Sequence, residues 1–207
     1  MDPLTACREI LSHSHSNFAP AFAILPREQR DALTAFYAFC RVVDDAVDGA
    51  GDRTSARRAL KEWEERLETV RTGEATEPVC VALGWAIERF GIRFDHLRLI
   101  LAGVGQDLCV TRYETFSDLY EYCYRVASAV GLVCVTVLGE KGPAVEAYAE
   151  LTGIGVQLTN ILRDVAEDAR LGRVGLNLAG RGHEQPPSTL RQACLPAGRL
   201  RARDASY

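Results

Sequence analysis

A chain of 207 residues with 47% hydrophobic and 25% charged residues is long and apolar enough to bury one sizeable core. A net charge of -4 gives no electrostatic footprint for nucleic acid, and the polar N-terminus, with Asp2, Arg8 and Glu9, does not read as a signal peptide. Seven scattered cysteines, odd in number and without a C-x-x-C pair, point away from a disulfide framework and towards a cytoplasmic protein whose thiols serve as small core residues.

Apolar residues recur with a period of about 3.6, and strand-like alternation is scarce. A first helix is predicted over Leu4–His13. A loop through Ser14-His15-Ser16-Asn17 follows, then a short apolar segment that ends at Pro26. The next helix runs from about Arg27 to Val47 and stops near Gly49-Ala50-Gly51. Further helices are expected over Thr54–Arg71, Glu77–Phe90 and Phe94–Val110, punctuated by Gly73, Gly91 and the Gly103/Gly105 pair. Two longer helices follow, about Phe116–Leu138 and Pro143–Arg170. Gly139 closes the first and Gly142-Pro143 opens the second. The longest uncharged stretch, Val126–Gly139, is too short for a bilayer span of about 20 apolar residues. It predicts a core helix or the wall of an apolar pocket. Its small residues Ala127, Ser128, Ala129 and Gly131 leave room for a close neighbour or a slender ligand. The fold expected is an all-α bundle, where ligand sites form between facing helices.

Two aspartate clusters of matching shape carry the functional signal. The first is Arg41-Val42-Val43-Asp44-Asp45-Ala46-Val47-Asp48, the second Gln157-Leu158-Thr159-Asn160-Ile161-Leu162-Arg163-Asp164-Val165-Ala166-Glu167-Asp168. On helices, Asp44 and Asp48 share a face, and Asn160, Asp164 and Asp168 form a ladder at the same spacing. One acidic pair at helical spacing is ordinarily a solvated face. Two ladders set in apolar sequence are harder to read that way, because stacked carboxylates repel and unpaired charges near apolar surroundings are costly. Both difficulties vanish if the ladders face each other across a cavity and hold divalent cations such as Mg2+, whose other ligands are waters and phosphate oxygens. Arg41 and Arg163 fit two roles: simple ion pairs with the acids, or grips on a phosphate.

These residues resemble those of a known family. Phe36-Tyr37-Ala38-Phe39-Cys40-Arg41-Val42-Val43-Asp44-Asp45-Ala46-Val47-Asp48 looks like the first signature of the squalene/phytoene synthases, the head-to-head prenyl transferases of the isoprenoid synthase fold. Leu158 to Asp168 looks like the second. Tyr122-Cys123-Tyr124-Arg125-Val126-Ala127-Ser128-Ala129-Val130-Gly131 resembles the segment between them, and Leu25-Pro26 with the charged helix start is also family-like. The similarity runs from about Ser12 to Arg173, and Tyr122–Gly139 leans towards the bacterial hopanoid-pathway squalene type.

The resemblance implies an isoprenoid synthase helical bundle and Mg2+-dependent condensation of two prenyl diphosphates through a cyclopropylcarbinyl diphosphate. Squalene-type members use farnesyl diphosphate and phytoene-type members geranylgeranyl diphosphate. NADPH is a further candidate cofactor. Asp44, Asp48, Asn160, Asp164 and Asp168 would bind metal, with Asp45 either a ligand or a partner to the ligands. Arg41 and Arg163 would contact diphosphate, and Gln157 would join them by orienting a water on the metal. Tyr37 and Tyr122 resemble the family's tyrosines that bond diphosphate or face the cation; the alternative for each is a core aromatic with a satisfied hydroxyl. The partner implied is a prenyl diphosphate, with peripheral membrane association through the lipid product and the oligomeric state left open. His13 and His15 align only loosely with a polar family position. His96 and His183 read as surface residues. No Glu-x-x-His pair supports a di-iron centre, and no Ser or Cys has a visible base partner.

After Gly172 the character changes. Members usually continue with an aliphatic residue and Tyr after Gly-Arg, then with further helices. This chain reads Gly172-Arg173-Val174-Gly175-Leu176-Asn177 and goes on rich in Pro, Gly and Arg. The expectation is a helical domain over 1–173, incomplete at its C-terminus, and a disordered tail over 174–207. Lost helices would leave apolar faces exposed. Two competing readings follow: a head-to-tail synthase or terpene cyclase, whose second motif usually differs, and a catalytically weak or inactive helical protein that binds prenyl diphosphate or a partner without turnover.

Overall fold

The computed structural model describes residues 2–14, 18–110 and 112–170. The expected tail over 174–207, with His183, lies outside the described residues, as does His15. The helices are α1 (Pro3–His13), α2 (Phe18–Ala23), α3 (Arg27–Asp48), α4 (Arg53–Thr72), α5 (Pro78–Phe90), α6 (Phe94–Asp107), α7 (Phe116–Cys123), α8 (Ala129–Leu138) and α9 (Pro143–Arg170). A π-turn over Tyr124–Ser128 joins α7 to α8. Several of these helices start at a side-chain cap. Asp2 accepts the Thr5 amide at 2.9 Å ahead of Pro3, and Asp52 accepts the amides of Thr54 and Ser55. Glu77 accepts the Cys80 amide at 2.9 Å ahead of Pro78. The segment before Pro26, expected only to be apolar, is the six-residue α2, which buries Phe22 against α3.

The hub of the bundle is α3. Its face Ala32, Ala35, Phe36, Phe39, Val43 and Val47 is buried, and α1, α4, α5, α6 and α8 pack around it. Buried Asp31 tolerates that position because Arg8 of α1 donates to it at 2.9 Å. The core also takes Leu67 of α4, Leu83 of α5, Leu97 and Leu101 of α6, and Val133 and Val137 of α8.

The long helix α9 lies along the π-turn and α8. The approach is close enough to need glycine. A Cβ on Gly153 would sit 2.5 Å from the Ser128 Cα. Ser128 is fully buried and donates its hydroxyl to the Glu150 carbonyl at 2.7 Å. The small residues of this stretch therefore do admit a close neighbour. The outer face of α9 carries exposed Tyr148, Leu151, Val156 and Leu162, the last 69% exposed. With the π-turn, α7 and α8 make one helical run, Phe116–Leu138. At 23 residues it has the length and composition of a bilayer span, which the uncharged stretch alone lacks, yet here it packs between α6 and α9.

One expectation is corrected. His96 is buried, only 6% exposed, and its Nδ1 has no hydrogen-bond partner. Its charged neighbours Asp95 and Arg98 suggest a surface position. The helix instead turns His96 inward on the side of Ile100, one turn further along. Burial, then Arg93, hold its pKa below the usual value. The thiols behave as expected: Cys7, Cys80 and Cys123 are buried, and the six described cysteines are all free.

Candidate active site

A cavity of about 950 Å3 opens between α3, α6, the α7–α8 run and α9. Each helix contributes one stripe. From α3 come Tyr37, Cys40, Asp44 and Asp48, at the spacing of successive turns. From α9 come Gln157, Asn160, Ile161 and Asp164. The α7–α8 run lends Tyr122, Val126, Val130 and Cys134. Residues four apart drift by about 40° per step on an α-helix. The wider π-turn advances each residue by less, so this ladder stays on the cavity side along its length. The helix α6 adds Ile100, Val104 and Asp107.

The ladders expected to face each other do line one cavity. Asp44 and Asp48 stand on α3, Asn160 and Asp164 on α9. Asp168 lies on α9 one turn past Asp164, but its side chain is outside the described residues. Tyr37, Tyr122 and Gln157 also line the cavity; the Gln157 side-chain oxygen accepts from Asn160 at 3.5 Å. Arg41 and Asp45 are not in its lining. They pair with each other on the exposed side of α3, at 2.6 and 3.0 Å. Arg163 is likewise outside the lining and grips Asp164 through two 2.7 Å bonds. Of the two roles weighed for the arginines, the ion pair is the one present. It holds the Asp164 carboxyl below the usual carboxylate range.

Among the described residues, five aspartates and one arginine, Arg53, line the cavity, so their field favours cations. Asp44 feels this most. Burial and the neighbouring Asp48 push its carboxyl up to about 6, against the opposing pull of Arg41; Asp107 and Asp45 add to the rise. Below the acids the walls are apolar: Phe22, Phe36, Ile100, Val104, Val126 and Val130.

Sequence reasoning missed several lining residues. Asp107 ends α6 just after the glycine pair, a segment that reads as a helix interruption. Its signal was an acid on the apolar side of an amphipathic helix. Tyr113 stacks on Tyr122 at 5.2 Å from a loop with no motif of its own. Phe18 packs on Tyr37 at 6.0 Å. Burial raises the pKa of both Tyr113 and Tyr122, so both phenols stay protonated.

Among the described residues, no three of His, Cys, Asp and Glu converge closely enough to hold an ion unaided. The donor set is hard oxygen throughout, and the crowding that raises Asp44 is what a bound cation would relieve.

The squalene/phytoene synthase family profile matches residues 11–178, which contain all of these stripes. The chain belongs to this family. A phytoene synthase of Arthrospira platensis is 38% identical over 190 residues, covering 86% of this chain and 62% of its own length. The 15-cis-phytoene synthase of Synechococcus elongatus is 39% identical, at 82% and 59% coverage. Among solved structures, squalene synthase HpnC from Alicyclobacillus acidocaldarius superposes with a TM-score of 0.76 at 30% identity, covering 83% of this chain and 65% of that one. A dehydrosqualene synthase in complex with ligand gives 0.75 at 34% identity, at 83% and 60%. The expected fold class holds: this squalene/phytoene synthase family member has the helical isoprenoid synthase fold. It spans under two thirds of the length of these relatives.

Proposed function

We propose that this chain binds an allylic prenyl diphosphate of the C15 or C20 class and ionises it with Mg2+, as the first step of head-to-head condensation of two such molecules. One observation carries the reading: acid-bearing faces of α3 and α9 line the same cavity, together with apolar side chains. At about 950 Å3 the cavity lies at the upper end of small-molecule sites, ~300–1,000 Å3, which suits long isoprenoid chains.

In this reading Asp44, Asp48, Asn160 and Asp164 hold the metal, with Asp168 following on the same helix. Held there, Mg2+ would supply the positive charge that stabilises the departing diphosphate. Phe36, Val104, Val126 and Val130 enclose the prenyl chain and keep water from the cation. The ring faces of Tyr37 and Tyr122 suit positive charge in the cavity. Arg163, bonded to Asp164, would exchange that bond for a diphosphate oxygen. The test is incubation with radiolabelled farnesyl or geranylgeranyl diphosphate, with Mg2+ or with EDTA, and with and without NADPH. Metal-dependent release of diphosphate with coupled hydrocarbon or cyclopropyl product is expected. Binding without any turnover would favour a binding-only protein instead.

A further inference from the structure

The end of α6 is held against the α7–α8 run at two points. The Arg125 guanidinium donates to the Gln106 side-chain oxygen, and Val126 fits where Gly103 lacks a side chain. This places Asp107, next in sequence to Gln106, at the Tyr122 hydroxyl, close enough to act on it as a hydrogen-bond acceptor. Tyr113 stacks on the Tyr122 ring at 5.2 Å and fixes its plane. Asp107 lines the same cavity as Asp44, and its charge adds to the rise of the Asp44 carboxyl.

A phenol has one proton to donate. We propose that Asp107 is a positioning residue that engages this proton, so that Tyr122 turns its ring and oxygen lone pairs to the substrate-derived cation and does not donate to the diphosphate. The catalytic consequence rests on the function proposed above; the contact itself does not. A carboxylate acceptor keeps the phenol neutral and makes its oxygen more electron-rich, which favours a carbocation nearby. The same Asp107 charge helps hold the Tyr122 proton in place at neutral pH.

The experiment places 3-fluorotyrosine at position 122 in the full chain and follows its titration by fluorine NMR. Asp107→Asn should lower the titration midpoint of that phenol by at least tenfold in proton concentration, and Asp107→Glu should restore most of the shift. An unchanged midpoint in Asp107→Asn overturns the contact. In a second arm, Tyr122→Phe should bind inorganic diphosphate with Mg2+ within twofold of the parent chain. A tenfold weaker affinity would make Tyr122 a diphosphate donor and overturn the proposal. In the third arm, Asp107→Asn and Tyr122→Phe should each lower kcat on farnesyl diphosphate at least tenfold with little change in KM, and the double variant should be no worse than Tyr122→Phe. Additive losses overturn the positioning role. A parent chain that releases no diphosphate refutes the proposed function, and the first two arms then still decide the contact.

Discussion

At the residue scale, Asp44 shows how a site is stored as instability. Its carboxyl is raised to about 6 by burial and by Asp48. The folded chain therefore binds a proton there more tightly than the unfolded chain does. Stability from this group is fully present below the ordinary carboxylate pKa of about 4 and is lost as pH rises through 6. Asp44→Asn should raise the melting temperature in EDTA at pH 8 by about 1 kcal/mol of stability, allowing for screening by cavity water. The gain should vanish near pH 4. Thermal denaturation at the two pH values checks this, and a destabilised variant at pH 8 would count against it. The neighbouring Asp45 is spared the same crowding because its direction on α3 takes it outward to Arg41. Adjacent aspartates in one motif thus have opposite surroundings, and helical spacing alone separates them: about 100° of rotation puts one in the cavity and one in solvent.

At the element scale, the boundaries were largely legible. Glycines such as Gly73, Gly91 and Gly139 announce their helix ends in sequence, and the structure ends helices there. The π-turn was not legible, because Tyr124–Ser128 has ordinary helix-forming residues. Its wider turn is stabilised by what packs on it, α6 on one side and α9 on the other. The tightness of that crossing makes a sharp prediction. Gly153→Ala would place a methyl 2.5 Å from the Ser128 Cα, against backbone that cannot step aside. It should cost about 1–3 kcal/mol as an overpacked contact. Gly155→Ala, two residues on, meets nothing within 4 Å and should stabilise α9 by roughly 0.5–1 kcal/mol. Chemical denaturation of both variants reads the contrast; equal effects would mean the crossing is looser than drawn.

At the scale of the whole molecule, the site exists only where four helices meet, so ligand binding should stabilise the entire bundle. A non-hydrolysable farnesyl diphosphate analogue with Mg2+ is expected to raise the melting temperature, by about 2.7 kcal/mol of stability at a hundredfold excess over Kd. EDTA should remove most of that shift. Asp164→Ala should also remove it, since this residue brings the α9 side of the cavity its described carboxylate. A shift that survives both changes would place the analogue somewhere other than between α3 and α9.

The sequence by itself determined the helical class, most helix ends, the two acid ladders and the family. These are local or periodic properties: spacing of four puts side chains on one face whatever the face later meets. It also offered Tyr37, Tyr122 and Gln157, which do reach the cavity. Tertiary structure decided what periodicity leaves free. It brought the ladders of α3 and α9 to one cavity, turned Arg41 and Asp45 away from it, and buried His96. It also brought in Asp107 and Tyr113, which no motif marks. Their roles come from neighbours on other elements of the fold. A contact between helices is set by how their side chains pack, and no single helix carries that information in its own residues.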